Sequence, residues 1–228
     1  MLHLFLLLFF VHMYEQNTKT IQIQAGQWTA LESATFFHST DGTAADFPTS
    51  VQLKADADYL HVAFLCEKDE FVAQNTYLEH NQPLYNQEVF EVFIAPGTAD
   101  PAQYIELEIN PNNAIWVGKI SYPSLGEKSD MKGELIDPVG SKILHQATKG
   151  QQAWSGTLSI PWNLISAEKS SQYRINFYRI VAKQKPLEKN WKCNVDNCAF
   201  LCWSPTMSGK TPAFHRPRRF GLLDILPR

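Results

Sequence analysis

From about residue 20 onward, apolar positions recur with a period of two in short runs separated by turn residues, and almost no stretch of ten residues carries helical spacing. Residues 51–54 read as one strand, Asp56-Ala57-Asp58 as a turn, and 59–67 as the returning strand of a hairpin. Leu60, Val62, Phe64 and Cys66 then share one face. Further strands are predicted at 88–95, 104–110, 114–120, 154–160 and 173–181, with a last one around Phe220, Leu222 and Leu223. A short helical turn follows Pro161, where Trp162-Asn-Leu-Ile165 breaks the alternation. Residues 121–150 are rich in Ser, Gly, Lys and Asp and predict long loops carrying one or two weak strands. The pattern predicts an all-β fold, a two-sheet antiparallel β-sandwich of jelly-roll-like character with long loops. No repeat, low-complexity tract or Pro/Gly/Ser linker divides the chain, so residues 17–228 are expected to form one domain.

The N-terminal residues 1–16 stand apart. Leu2 to Val11 is apolar except for His3, too short to span a bilayer but suited to the h-region of a signal peptide. No Lys or Arg precedes this run, and no small-residue cleavage site follows before Ala25, so another kind of apolar N-terminal segment also fits. The export reading places the protein outside the cytoplasm, in a periplasm, at a cell surface or in the medium. Cys66, Cys193, Cys198 and Cys202 suit an oxidising compartment, with three pairings open and buried free thiols as the alternative. A zinc site lacks a matching His pair. Apolar residues make up 44% of the chain and aromatics 12%, enough for a sizeable core with rings left over for a surface site. A net charge of -3 gives no basic field for nucleic acid or anionic membrane.

Candidate chemistry concentrates in two places. In Tyr104-Ile-Glu-Leu-Glu-Ile-Asn110, alternation puts Ile105, Leu107 and Ile109 on the core face and Tyr104, Glu106, Glu108 and Asn110 on the other. That polar face fits a solvated surface, and it fits a binding face equally. Glu91 lies within Val89-Phe90-Glu91-Val92-Phe93, where a carboxylate among apolar residues needs partners if buried. Near the C-terminus, Trp203-Ser-Pro-Thr206 and Phe214-His-Arg-Pro-Arg-Arg-Phe-Gly221 supply rings and donors. Pro205, Pro212 and Pro217 stiffen the loop that would display Trp203, Phe214 and His215. A C-terminal lid over the core, with Phe220 inward and Phe214 outward, fits the same residues. Glu106 and Glu108, about 7 Å apart by strand rise, also have the makings of a two-carboxylate glycosidase with Glu91. Gly209-Lys210-Thr211 lacks the first glycine and the helix of a phosphate-binding loop, and there is no Gly-x-Ser-x-Gly or His-Glu-x-x-His motif.

Taken in order, Pro48-Thr49, Asp58-Tyr-Leu-His-Val62, Val89-Phe-Glu-Val-Phe93, the 104–110 strand, Ile160-Pro-Trp162, Arg174-Ile-Asn-Phe-Tyr-Arg179, Trp203-Ser-Pro-Thr206 and 214–221 resemble the family-9-like carbohydrate-binding modules of the wider DOMON-like group. The resemblance implies a non-catalytic β-sandwich that holds an oligo- or polysaccharide between two aromatic side chains, in company with glycoside hydrolases. By motif, the clamp rings fall at Tyr85 and Phe214, both smaller than the family's tryptophans, and Glu91 matches a sugar-binding carboxylate. Glu108 and Asn110 fall where the family offers a guanidinium and an amide, so Glu108 reverses the charge. Arg179 is the expected substitute donor, and Trp203 and His215 are expected to assist. Relatives in the DOMON-like group bind haem b, for which Met131, Met207, His145 and His215 are the axial candidates, though no Cys-x-x-Cys-His motif is present. Some members bind structural calcium, but no EF-hand-like run of Asp and Asn assigns a site here. No cofactor is otherwise expected.

Overall fold

A computed structural model describes residues 18–227, so the apolar segment 1–16 lies outside the described residues. The strands are β1 (Thr20–Gln24), β2 (Thr29–Ala30), β3 (Phe37–His38), β4 (Thr49–Ala55), β5 (Tyr59–Glu67), β6 (Val89–Pro96) and β7 (Gln103–Ile109), then β8 (Ile115–Ser121), β9 (Lys132–Leu135), β10 (Leu144–Lys149), β11 (Ala153–Pro161), β12 (Gln172–Ala182), β13 (Cys198–Cys202) and β14 (Gly221–Leu226). One helical turn, Trp162–Ile165, follows β11 as the sequence predicts. The weak strands expected within 121–150 are β9 and β10.

Two sheets face each other. The larger runs β1-β14-β12-β6-β7-β8-β9, with β13 beside β12 and β3 beyond it; the smaller runs β10-β11-β5-β4-β2. Every pairing is antiparallel except β1 with β14, and no barrel closes. The predicted hairpin is β4 and β5, registered Val51 to Phe64 and Leu53 to Val62. Its inward residues meet the large sheet, where Phe64 stacks on Phe90 at 4.0 Å, and Phe64 also makes a T-shaped contact at 5.0 Å with Trp154 of the neighbouring β11. Phe90, Val92 and Ile94 from β6, Ile105, Leu107 and Ile109 from β7 and Ile175 and Phe177 from β12 complete this inter-sheet core.

The other face of the large sheet is not solvated. Tyr104, Glu106, Glu108 and Asn110 are buried, as is every residue of β6 from Val89 to Ala95. A second apolar cluster covers this outer face, built from Val89, Phe93, Tyr104, Tyr178, Ile180, Phe214 and Phe220 among others. The cover comes from two excursions of chain. Residues 203–220 leave the end of β13, opposite Tyr178, and return as β14 opposite Ile175, so the segment loops out and back along one edge of β12. Residues 70–88 cross from β5 to β6 and include the short turn Leu84–Asn86.

Three expectations from the sequence are corrected here, and the open cysteine pairing is resolved. Trp203 belongs to the inter-sheet core: its ring lies against Gly221, where an added Cβ would sit 2.3 Å from it, and 5.7 Å from the Phe177 ring. Arg179 also points inward. Its guanidinium donates to Pro48 O, Thr49 Oγ1 and Glu67 O and pairs with Asp69 at 3.4 Å, fully buried. Phe214 is nearly covered, because its ring stacks on Tyr178 at 4.5 Å. Of the four cysteines, Cys193 and Cys198 form a disulfide, while Cys66 and Cys202 are buried thiols with their ionisation pushed up to about 12 by burial.

The Arg179 network ties β12 to the small sheet's end, and burial raises Asp69 while the guanidinium opposes that rise. We expect Arg179→Met to lower stability by about 3–5 kcal/mol by leaving Asp69 without its counter-ion. Denaturant midpoints measure this, and a loss under about 1 kcal/mol would contradict the role assigned to the pair.

Candidate functional site

The outer face carries a pocket of about 490 Å³. Its floor is the large sheet itself. Alternation along β6, β7, β8 and β12 brings Glu91, Glu106, Trp116, Ile120 and Ile180 to this side, with Gly133 of β9 registered against Ile120. Trp116 lies flat along its own strand, because Gly118 two residues on has no side chain; a Cβ there would come within 2.4 Å of the indole. The strand therefore presents an aromatic face.

The walls are held by named hydrogen bonds. Asn176 donates to Ser204 O and accepts from Ser204 N, both at 2.9 Å, and Tyr178 OH donates to Phe214 O at 3.1 Å. These bonds fix the 203–220 excursion so that Pro212, Ala213, Phe214 and His215 form one wall. Opposite stands Tyr85, half exposed, on the Leu84–Asn86 turn. That turn is braced from behind, since Cys193 N donates to Asn86 O at 2.7 Å and the disulfide closes the loop that carries Cys193. Phe200 of β13 completes the lining between the walls.

Three carboxyls crowd the floor. Glu91 and Glu108 are directly opposed across β6 and β7, and Glu106 is the next residue on the same side of β7. Directly opposed residues have Cβ atoms about 4.5–5.5 Å apart. Exposures are 1% for Glu91, 0% for Glu108 and 5% for Glu106. Glu91 Oε1 has no hydrogen-bond partner, and Glu108 is faced by the backbone N–H of Tyr85 at a geometry too poor for a full hydrogen bond. Burial, reinforced by the neighbouring acid, holds Glu91 well above the usual carboxylate range; burial and then the charges of Glu91 and Glu106 do the same to Glu108. Burial alone takes Glu106 to about 8.

His215 takes the opposite shift, to about 4, because burial disfavours its cation. Tyr104 is kept protonated, chiefly by burial, and its hydroxyl is hydrogen-bonded to His215 Nδ1 at 2.7 Å. The other ring nitrogen, Nε2, faces Glu106 at 3.9 Å. The ring also stacks on Phe93 at 5.1 Å.

Of the residues singled out in the sequence, Tyr85, Glu91, Phe214 and His215 meet around this pocket. Glu108 lies beside Glu91 without lining it. Asn110 is committed to the loops, donating to Tyr77 O and accepting from Asn112 N and Ala114 N. Arg179 and Trp203 are on the far side of the sheet, for the reasons given above. Trp116 and Phe200 were missed. Trp116 had a signal, because the alternation that places Glu108 outward places its cross-strand partner Trp116 there too, two residues before a glycine.

The haem candidates do not assemble a site. Met131 and His215 do line the pocket, but both His215 nitrogens are engaged or face Glu106, and the floor beneath is carboxylic. His145 bonds Asn113 and packs edge-on against His80, and Met207 rests near Gly42. Among the described residues no group of three or more His, Cys, Asp or Glu is arranged to hold a metal ion.

The fold is shared with known carbohydrate-binding proteins. A putative carbohydrate-binding protein from Bacteroides uniformis superposes with a TM-score of 0.61 at 12% identity, covering 92% of this chain and 100% of that one. Two structures of a carbohydrate-binding module family 9 protein from Caldicellulosiruptor kristjanssonii, one with glucose and one with cellotriose, give 0.55 and 0.54 at 12% and 13% identity. They cover 92% of this chain and 97% and 95% of theirs. In sequence, the chain is 25% identical over 175 residues to an extracellular protein from Arthroderma benhamiae, spanning 72% of this chain and 77% of that protein. No protein-family model matches.

The carboxyl floor sets a pH dependence. Glu106, at about 8 in the fold against 4.5 unfolded, retains a proton that the unfolded chain has lost, so its stability contribution disappears as pH rises through that window. Glu88, also taken to about 8 by burial and the charge of Asp69, adds to the effect. His215 acts oppositely, at about 4 against 6.5, but only below 6.5. Denaturant midpoints should therefore fall from about pH 6.5 to 8, by up to about 1.4 kcal/mol per pH unit for each such carboxyl. Glu106→Gln should flatten the profile by one such increment, and a wild-type profile that is flat or rising would contradict the buried-acid assignment.

Proposed function

We propose that this pocket binds a saccharide and that the protein acts by recognition, without catalysis. The observation that carries the reading is the pairing of a flat indole on the floor with Tyr85 and Phe214 on facing walls, beside hydrogen-bonding groups at Glu91, Glu106 and His215. Sugar rings have one apolar face for an aromatic platform and a rim of hydroxyls for such groups. A volume of about 490 Å³ falls within the range of roughly 300–1,000 Å³ usual for small-molecule sites, and suits a short stretch of glycan. The fold shared with modules solved with glucose and cellotriose supports the same reading.

The setting proposed is extracytoplasmic. The relative named as an extracellular protein supports this, as does the apolar N-terminal run of the sequence. Among the described residues no helix is long and apolar enough to cross a membrane. A role beside glycoside hydrolases in polysaccharide breakdown is the corresponding proposal for the protein's partners.

Affinity should be modest, about micromolar to millimolar, because each hydrogen bond to sugar replaces one to water. Titration calorimetry against a saccharide panel tests the reading. Trp116→Ala, Tyr85→Ala and Phe214→Ala should each weaken binding about tenfold or more, equal to about 1.4 kcal/mol. Gly118→Val, whose side chain would push against the underside of the indole, should weaken it similarly by displacing Trp116. Full binding in all four variants, or no binding across the panel, would defeat the proposal.

A further inference from the structure

The polar composition of the pocket is one-sided. Of its lining residues, Glu91 and Glu106 are acidic, and none is Lys or Arg. Glu108 adds a third acid beside the first two, and Arg179 of β12 faces the other side of the sheet. Glu91, buried to 1% exposure, lines the cavity while its Oε1 lacks any partner, and Glu108, at 0%, is faced by the backbone N–H of Tyr85 and by no cation. Buried carboxyls left unpaired oppose folding, and the described residues include no cation on this floor to relieve them. Above them the rings of Trp116, Tyr85, Phe200 and Phe214 present faces of the kind that attract cations.

We propose that the saccharide taken here is an amino sugar, its ammonium group seated on Glu91 and Glu106 with Glu108 behind, and its ring on Trp116. This rests on the saccharide reading of the pocket and narrows it to a cationic class. An ammonium group carries three donors and a full charge, which answers the unpartnered acceptors in a way that neutral hydroxyls do not. Its arrival displaces a carboxyl proton: the carboxyl O–H bond breaks, the proton passes to water or buffer, and the ammonium and carboxylate pair without any further bond being made or broken. An N-acetylated sugar has lost that charge and should gain nothing from the acids.

The test is titration calorimetry on the purified protein at pH 6.5 and low salt with four ligands: a β-1,4-linked glucosamine tetramer, its N-acetylated counterpart, cellotetraose, and a simple alkyl diamine. The glucosamine tetramer should bind about tenfold or more tighter than each of the others. Glu91→Gln and Glu106→Gln, near-isosteric and checked for folding by circular dichroism, should remove that advantage, bringing the glucosamine tetramer to within about threefold of cellotetraose measured on the same variant. Should either variant not fold, the ligand ranking on the wild-type protein decides alone. Cellotetraose or the N-acetylated tetramer binding as tightly as the glucosamine tetramer would overturn the amino-sugar inference and leave the saccharide reading standing. The diamine binding as tightly as the tetramer, or no sugar binding at all, would overturn both.

Discussion

The central strands β6 and β12 carry large apolar and aromatic side chains on both faces, and the rest of the architecture follows from covering them. On β6, Phe90, Val92 and Ile94 go to the inter-sheet core while Val89, Phe93 and Ala95 go to the other side. On β12, Phe177 and Tyr178 divide in the same way. A sheet with one such face exposed would leave a large apolar patch in water. The excursion 203–220 and the segment 70–88 supply the cover, and the second aromatic cluster is what they cover it with.

That cover creates the site as a by-product of protecting the sheet. Where the two excursions fail to meet, the sheet shows through, and its strand alternation decides which side chains appear there. Carboxyls that would be ordinary solvated residues on an open sheet become buried, and burial drives them toward their neutral form. The walls are rigid because each is tied down: Phe214 through Tyr178 OH, Ser204 through Asn176, and the Tyr85 turn through Cys193. Such preorganisation lowers the ordering cost of binding, which matters for a site whose individual contacts are weak.

Much of this was legible in the sequence. The period-two runs located the hairpin and the strands at 88–95, 104–110, 114–120, 154–160 and 173–181, because alternation is local and a strand declares it within a few residues. The two-faced burial was less legible, although its signal was present: 89–95 is an almost unbroken apolar run, the mark of a strand covered on both sides. Reading Tyr104, Glu106 and Glu108 as one face was right, but whether that face meets water depends on loops far away in the chain. Arg179 and Trp203 were misplaced for a related reason. Arg179 neighbours Tyr178 on β12, yet adjacent residues on a strand point to opposite faces, and a fully buried arginine inside the sandwich depends on Asp69 and carbonyls from β5 and its flanks. The disulfide was not decidable by spacing, since Cys198 and Cys202 sit on the same strand as near neighbours of Cys193.

The most direct test of the central claim, that the covered outer face of the large sheet is the binding face, is a crystal structure of the protein with a bound oligosaccharide. We expect a sugar ring lying over Trp116, between Tyr85 and Phe214 and within hydrogen-bond distance of Glu91 or Glu106. A sugar bound instead on the solvent side of the β10-β11-β5-β4-β2 sheet, with the Trp116 pocket empty, would contradict it.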